Sequence, residues 1–357
     1  DLWLLNSTSG TTGLPKCVMH HQRRWLAFHE LAVAAGDLSP DDVVLSALPA
    51  PFGFGVWTAH VTPTLLGVAC VVSPRFDAAE CLTLIARERV TVLAAVSTQF
   101  IMLLNSSELE THDLSSLRVL FTGGEMVPER RAAEFEDRTG CAVLQFYGSN
   151  ETGALSRTTL TDSRERRLRT AGRVIPEMQV RLFDDDGHDV TATGGPGIAA
   201  CRGPLTCLGY YHDPDANAAL YTPDGWMLTG DRCVIDESAY LTVSGRASDF
   251  IIRGGKNISA AQVEDEVATH SAVLLAAAIA MPDPVFGERV CVYVELRPGS
   301  TLDLADLRAH LEARGVGKEL WPEHLVVLAA LPRASGGKVA KGDLREDVAR
   351  RVAPDTA

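Results

Sequence analysis

The chain of 357 residues carries a formal net charge of −13, with 46% hydrophobic and 22% charged residues. That composition suits a folded globular protein of roughly two domains and speaks against disorder. The acidic balance argues against a nucleic-acid surface, which needs clustered Lys and Arg, and no apolar run reaches the length of a membrane span. The densest basic run, "SRERRLR" from Ser163 to Arg169, is read as a solvated loop or helix face. Cysteines 17, 70, 81, 141, 201, 207, 233 and 291 form no Cys-x-x-Cys pair. Neither a zinc site nor a redox couple is encoded by their spacing, and a reducing cytoplasm fits.

In chain order, short apolar runs alternate with helical patterns. "DVVLSALP" (Asp42 to Pro49), "VACVVSP" (Val68 to Pro74), "VTVLAAV" (Val90 to Val96), "LRVLFTGG" (Leu117 to Gly124) and "AVLQFYGS" (Ala142 to Ser149) read as buried strands. Asp77 to Arg89 and Val127 to Gly140 carry helix-period apolar positions between them. The expectation is an α/β fold, a mostly parallel sheet with helices on both faces. From about Gln179, "QVRLFDDDGHDV", "GIAACRG" and "CVIDESAYLTVSGR" are short strands joined by Asp/Gly turns, the mark of an antiparallel β subdomain. After Gly245 an acidic helix (Ala260 to His270), the strands "VLLAAAIAM" and "VCVYVEL", the helix "LADLRAHLEARG" and the strand "HLVVLAAL" suggest a small α+β module. The boundary is placed between residues 1–245 and 246–357.

Five stretches carry chemistry. "NSTSGTTGLPK" holds Thr8, Ser9, Gly10, Thr11, Thr12, Gly13 and Lys16. Glycines turn backbone N–H groups inward, hydroxyls add donors and the lysine adds a point charge, so a nucleotide phosphate is the natural guest. Pro15 before Lys16 and Cys17 after it argue against a Walker-type loop. "FYGSNETG" (Phe146 to Gly153) follows a strand and offers an aromatic, a glycine turn, an amide and the carboxylate Glu151, suited to Mg²⁺. "GWMLTGD" puts Asp231 after a turn, able to accept hydrogen bonds from ribose hydroxyls. "GRASDFIIRGGKNIS" contains Arg246, and "LPRASGGKVAKGDLR" presents Lys338 on a glycine-flanked loop. Of the 33 Lys and Arg residues only Lys16, Lys256, Lys318, Lys338 and Lys341 are lysines, so lysines inside glycine loops are not accidents of composition.

Taken together and in this order, from Leu4 to about Asp347, these motifs resemble the acyl-adenylate-forming enzymes, a family that includes acyl-CoA synthetases, the adenylation domains of peptide synthetases and firefly luciferase. "LPAPFGFG", "ACRGPLTCLGYY" and "IIRGGKNIS" look most like bacterial short- or medium-chain fatty-acid and cyclohexanecarboxylate CoA ligases. The resemblance implies an ATP- and Mg²⁺-dependent acid–thiol ligase. A carboxylate attacks the α-phosphate of ATP to give an acyl-adenylate, and the thiol of coenzyme A then takes the acyl group. Thr8 to Gly13 with Lys16 would cradle the pyrophosphate portion, Gly123, Gly124, Glu125, Tyr147 and Gly148 would line the adenine side, and Glu151 would bind Mg²⁺. Asp231 and Arg246 would hold the ribose, and Lys338 would reach across from a mobile small domain during adenylation. Gly254 and Gly255 would then approach the pantetheine arm.

Three departures from the family pattern stand out. Asn150 replaces the usual threonine before the magnesium glutamate and can still donate to an oxygen. Ser248 occupies the hinge position normally held by Asp or Lys. Phe54 stands where related ligases often have histidine, so Phe52, Phe54 and Trp57 are either an aromatic acyl pocket or ordinary core. Family members also carry an extensive portion before the phosphate loop, and the opening on Asp1 leads to the expectation of a piece of a longer polypeptide. The alternatives are a ligase that loads an acyl group onto a carrier protein, and an inactive nucleotide-binding remnant. The partners expected are a small carboxylic acid and CoA or an acyl-carrier protein.

Overall fold

A computed structural model describes residues 1–8, 15–49, 52–73, 75–334 and 338–352. It divides into two compact units, Asp1–Val243 with Ser335–Lys338, and Ser244–Ala334 with Val339–Ala357. The chain opens with an antiparallel hairpin, β1 (Leu4–Ser7) and β2 (Cys17–His20), in which Asn6 faces Val18.

The first unit is built on a seven-stranded sheet of β3 (Val43–Ser46), β4 (Ala69–Val72), β5 (Val92–Ala94), β6 (Val119–Gly123), β7 (Ala142–Ser149), β8 (Gly153–Arg157) and β9 (Arg173–Val174), ordered β4-β3-β5-β6-β7-β8-β9. Pairing from β4 to β7 is parallel, and β8 and β9 add antiparallel strands. The near-continuous apolar runs are what a sheet covered on both faces requires. Val119 and Phe121 face a core shared with Trp25, Phe28, Leu31, Ala32 and Ala35 of α1 (Gln22–Gly36). Leu120 between them points the other way and is equally buried.

Helix starts follow local chemistry. Asp77 accepts from Glu80 N to cap α4 (Ala78–Glu88) after a helical run that begins with α2 (Gly53–Gly55), becomes π-helical over Val56–Val61 and ends as α3 (Thr62–Leu66). α5 (Ser97–Leu104) and α6 (Glu129–Thr139) pack together through Phe100 and Phe135, 5.7 Å apart edge to face. The basic run "SRERRLR" forms α7 (Arg164–Arg169), capped by Ser163, with its arginines on Glu136, Asp137, Asp236, Glu129 and Glu165. It is a solvated helix face neutralised by neighbouring acids.

An antiparallel sheet follows, β10 (Gln179–Phe183), β11 (Gly197–Arg202), β12 (Met227–Ile235) and β13 (Leu241–Arg246), with α8 (Pro214–Leu220) inserted. Asp231 sits within β12, downstream of the turn in which Gly225 N donates to Thr222 O. The β11–β12 register slips, with Ile198 facing Arg232 and Ala200 facing Leu228. Thr229 to Asp231 therefore bulge opposite Ala199, and a bulge re-aims side chains as a turn would.

In the second unit β14 (Phe250–Arg253), β15 (Lys256–Ser259), β16 (Val273–Asp283), β17 (Gly287–Leu296) and β18 (His324–Leu328) form one sheet with α9 (Ala260–Val267), α10 (Leu304–Ala313) and α11 (Lys341–Val352). β17 pairs antiparallel with β16 and parallel with β18. Its core of Ile251, Ile258, Val263, Val267, Val290, Val292, Val294, Leu307 and Leu311 is its own. No helix among the described residues is long and apolar enough to cross a membrane.

Candidate active site

Parallel sheets offer ligand sites beyond the carboxyl ends of their strands, and the motifs of the first unit gather there. β6 ends in Gly123, opposite Phe146 of β7, and a Cβ on Gly123 would lie 2.1 Å from the Phe146 carbonyl oxygen. Gly124 follows, and Lys338 Nζ donates to its carbonyl while lying 5.1 Å above the Phe52 ring. Glu125 turns back, its Oε1 accepting from Thr98 N at 2.8 Å in the first turn of α5, where a carboxylate is favoured by the helix dipole.

β7 ends in the turn Ser149 to Thr152, locked by reciprocal bonds: Ser149 N donates to Thr152 Oγ1 at 2.9 Å and Thr152 N to Ser149 Oγ at 3.1 Å. Gly148 is obligatory here. A Cβ on it would lie 1.8 Å from the Gly153 carbonyl oxygen, and its φ of +156° suits only glycine well. The Tyr147 hydroxyl donates to Asp231 Oδ2 at 2.8 Å, joining the two motifs. Desolvation, then the Asp231 charge, holds that phenol well above its ordinary pKa, so it stays a donor.

The other side of the turn meets the loop neck. Thr8 and Lys16 close the hairpin, with Thr8 N donating to Lys16 O at 2.9 Å and Lys16 N to Thr8 Oγ1 at 3.0 Å. Lys16 Nζ lies 5.5 Å from the Tyr210 ring centroid, and the Tyr210 hydroxyl donates to Glu151 Oε1 at 2.8 Å. Tyr210 is delivered by the segment after β11, which pairs with β2: Val18 bridges Tyr210 and Met19 N donates to Gly209 O at 2.8 Å. Its phenol is pushed up by burial and by Glu151. Glu151 thus has one oxygen held and, among the described residues, no hydrogen bond to the other. That donor set fits Mg²⁺, which takes one or two carboxylates and keeps several waters.

The sequence profile of the family described as AMP-binding enzyme matches residues 1–211. The chain belongs to that family. The profile of the AMP-binding enzyme C-terminal domain matches residues 262–338. The medium-chain fatty-acid–CoA ligase of Escherichia coli (strain K12) is 36% identical over 351 residues, which cover 98% of this chain and 61% of that protein. Pyochelin synthase PchD of Pseudomonas aeruginosa (strain UCBPP-PA14) is 37% identical over 354 residues, 99% of this chain and 64% of that protein. Among solved structures, ATP-bound MatB from Rhodopseudomonas palustris superposes with a TM-score of 0.86 at 30% identity, covering 97% of this chain and 68% of that one. The chain spans less than two thirds of the length of the two curated relatives.

In this member of the family, the first unit brings Thr8, Lys16, Gly123, Gly124, Glu125, Tyr147, Gly148, Asn150, Glu151, Asp231 and Lys338 to one fold, and the second holds Arg246, Gly254 and Gly255. Ser9, Gly10, Thr11, Thr12 and Gly13 lie outside the described residues. Arg253 faces Lys256 across the β14–β15 turn, and Gly254 and Gly255 fill its two positions at φ of +57° and +81°. That hairpin turn demands glycine at both positions on its own account. Trp57 is 6% exposed and packs 4.7 Å from the Phe146 ring and 6.3 Å from Phe121. Together with Phe54 it belongs to the main core, and Phe52 packs on Leu48, Ala94 and Val96.

Three residues that meet the site were not singled out from sequence: Tyr210, Arg24 and His20. Arg24 shares the apolar stripe of Phe28, Leu31, Ala32 and Ala35 on α1. A charge in register with such a stripe was the available signal.

Proposed function

We propose that the chain carries the machinery of an ATP- and Mg²⁺-dependent carboxylic acid–CoA ligase, which adenylates a carboxylate and passes the acyl group to the thiol of CoA. The observation that carries this reading is the relay Lys16, Tyr210, Glu151, which sets a cation and a carboxylate on one tyrosine at the mouth of the hairpin loop. A cation and a metal-holding carboxylate on either side of a phosphate chain are what phosphoryl chemistry requires. In this reading Thr8 to Gly13 with Lys16 hold the leaving pyrophosphate, and Gly123 to Glu125, Tyr147 and Gly148 flank the base. Asp231 and Arg246 hold the ribose, Asn150 donates to a phosphate or carboxylate oxygen, and Gly254 and Gly255 face the thiol arm. Glu151 holds Mg²⁺, which when bound neutralises phosphate charge.

Residues 1–245 form the large domain and 246–357 the small mobile one. Lys338, whose ammonium now rests on Gly124 O, exchanges that carbonyl for the reacting phosphate. No nucleophile from the protein is needed. The kinship to the medium-chain fatty-acid–CoA ligase supports a carboxylic acid as substrate.

The test is ATP–pyrophosphate exchange across a panel of straight-chain, alicyclic and aryl acids, followed by mass spectrometry of the products with CoA. Exchange with at least one acid and a CoA thioester of that acid are expected. Adenylate without thioester would move the acceptor to a carrier protein, and no exchange with any acid would reject the ligase reading.

A further inference from the structure

Arg24 is 1% exposed and lies beneath the turn that carries Glu151. Its Nη1 uses both hydrogens, donating to the Asn150 carbonyl oxygen at 2.9 Å and to His20 Nδ1 at 2.7 Å. The guanidinium carbon lies 5.3 Å from the Phe28 ring centroid, and among the described residues Nε is buried with no hydrogen-bond partner. Among the described residues no carboxylate stands within ion-pair distance of it. Burying a guanidinium in this way costs several kcal/mol, and an apolar side chain would fill the same stripe of α1 without that penalty.

The arrangement is directional. An imidazole nitrogen so close to a guanidinium must accept, so His20 is neutral and Nδ1 carries no proton; burial, then Arg24, lowers its pKa to about 3. His20 therefore orients Nη1 toward the turn. The next carbonyl, that of Glu151, accepts from Cys207 N at 2.7 Å. Two consecutive peptides of the turn are thus held from below while Tyr210 holds the Glu151 side chain. Among the described residues the hydrogen bonds of the Asn150 side chain are long, 3.4 Å to Asn6 Oδ1 and 3.4 Å to Ser7 O, against 2.9 Å for the main-chain anchor.

We propose that Arg24 is a positioning residue for the metal–nucleotide site: anchored by His20, it fixes the Asn150 carbonyl and so sets where the Glu151 carboxylate stands. This role rests on the ligase function proposed above. Partners that orient a metal ligand from behind typically matter about tenfold or more in metal affinity.

The experiment measures Mn²⁺ binding to the full chain in the presence of α,β-methylene ATP, by the electron paramagnetic resonance signal of free Mn²⁺, alongside thermal midpoints. Arg24→Met is expected to weaken Mn²⁺ binding about tenfold, with Arg24→Lys recovering part of the loss. In exchange assays the Mg²⁺ concentration for half-maximal rate should rise while the rate at saturating Mg²⁺ changes little. A purely structural arginine would lower the thermal midpoint and leave Mn²⁺ affinity at the wild-type value, and that result overturns the proposal. Should Arg24→Met fail to fold, His20→Leu, which removes the acceptor orienting Nη1, must weaken Mn²⁺ binding in the same direction; unchanged affinity there overturns it equally. A wild-type chain that binds no Mn²⁺ with the analogue defeats the ligase function itself and this role with it, an outcome distinct from variants that match a binding-competent wild type.

Discussion

Lys338 and His20 each make a contact whose loss can be measured. The Lys338 ammonium already hydrogen-bonds a backbone carbonyl at the end of β6, so a phosphate oxygen would replace one acceptor with a charged and stronger one. Lys338→Ala is expected to slow adenylation about a hundredfold, the scale of losing one charge-stabilising donor. Thioester formation from supplied acyl-adenylate should be nearly untouched; equal loss in both half-reactions would contradict the assigned role. His20 makes a prediction about acid. Its pKa falls from 6.5 to about 3 on folding. Between those values the unfolded chain holds a proton here that the folded chain lacks. Stability is therefore fully present above about pH 6.5 and declines below it by about 1.4 kcal/mol per pH unit from this residue. The unfolding free energies of wild type and His20→Gln, plotted against pH between 4 and 5.5, should differ in slope by that amount, and parallel plots would refute it.

At the level of elements, much was legible from periodicity. The five parallel strands and the helices between them carry unbroken apolar runs and clean amphipathic spacing, signals that depend only on neighbours in the chain. What escaped depends on contacts made elsewhere. The helical run from Gly53 opens with two glycines, poor helix formers. A Cβ at Gly53 would lie 2.3 Å from Asn150 Oδ1, and one at Gly55 would lie 2.2 Å from the Pro49 carbonyl oxygen. Tertiary crowding selected residues that disguise the helix. α1 went unread, and its buried face carries Arg24 in register with the apolar residues. The phosphate-loop and glutamate motifs were legible because their residue types are chemically specific. Tyr210 was not, since a tyrosine announces no partner until β2 pairs with its segment. A test of crowding against conformation follows. Gly148→Ala should destabilise by about 3 kcal/mol or more, because its Cβ would collide with the Gly153 backbone. Gly67→Ala, at φ +73° in open space, should cost only about 1 kcal/mol. Equal effects in urea unfolding would show that the collision at Gly148 is relieved by movement.

At the scale of the molecule, the described residues form separate cores in the two units. Calorimetry of the full chain should therefore resolve two transitions, since cooperativity is carried by a shared core. ATP with Mg²⁺ should raise the midpoint of the transition belonging to the first unit, which holds the Lys16, Tyr210 and Glu151 cluster. A single sharp transition would mean the units melt as one.

Strand β4 has a practical consequence for handling the protein. Among the described residues it terminates the seven-stranded sheet, with Val72 62% exposed, and an unpaired strand edge is a template for pairing with another molecule. Mutual repulsion between copies, each bearing a charge of −13, opposes that encounter at low ionic strength. Salt shortens the reach of this repulsion to about 10 Å near 0.1 M. Concentrated stocks should therefore stay monodisperse in dilute buffer and begin to self-associate as salt is added, the reverse of what a charge-driven aggregate would do.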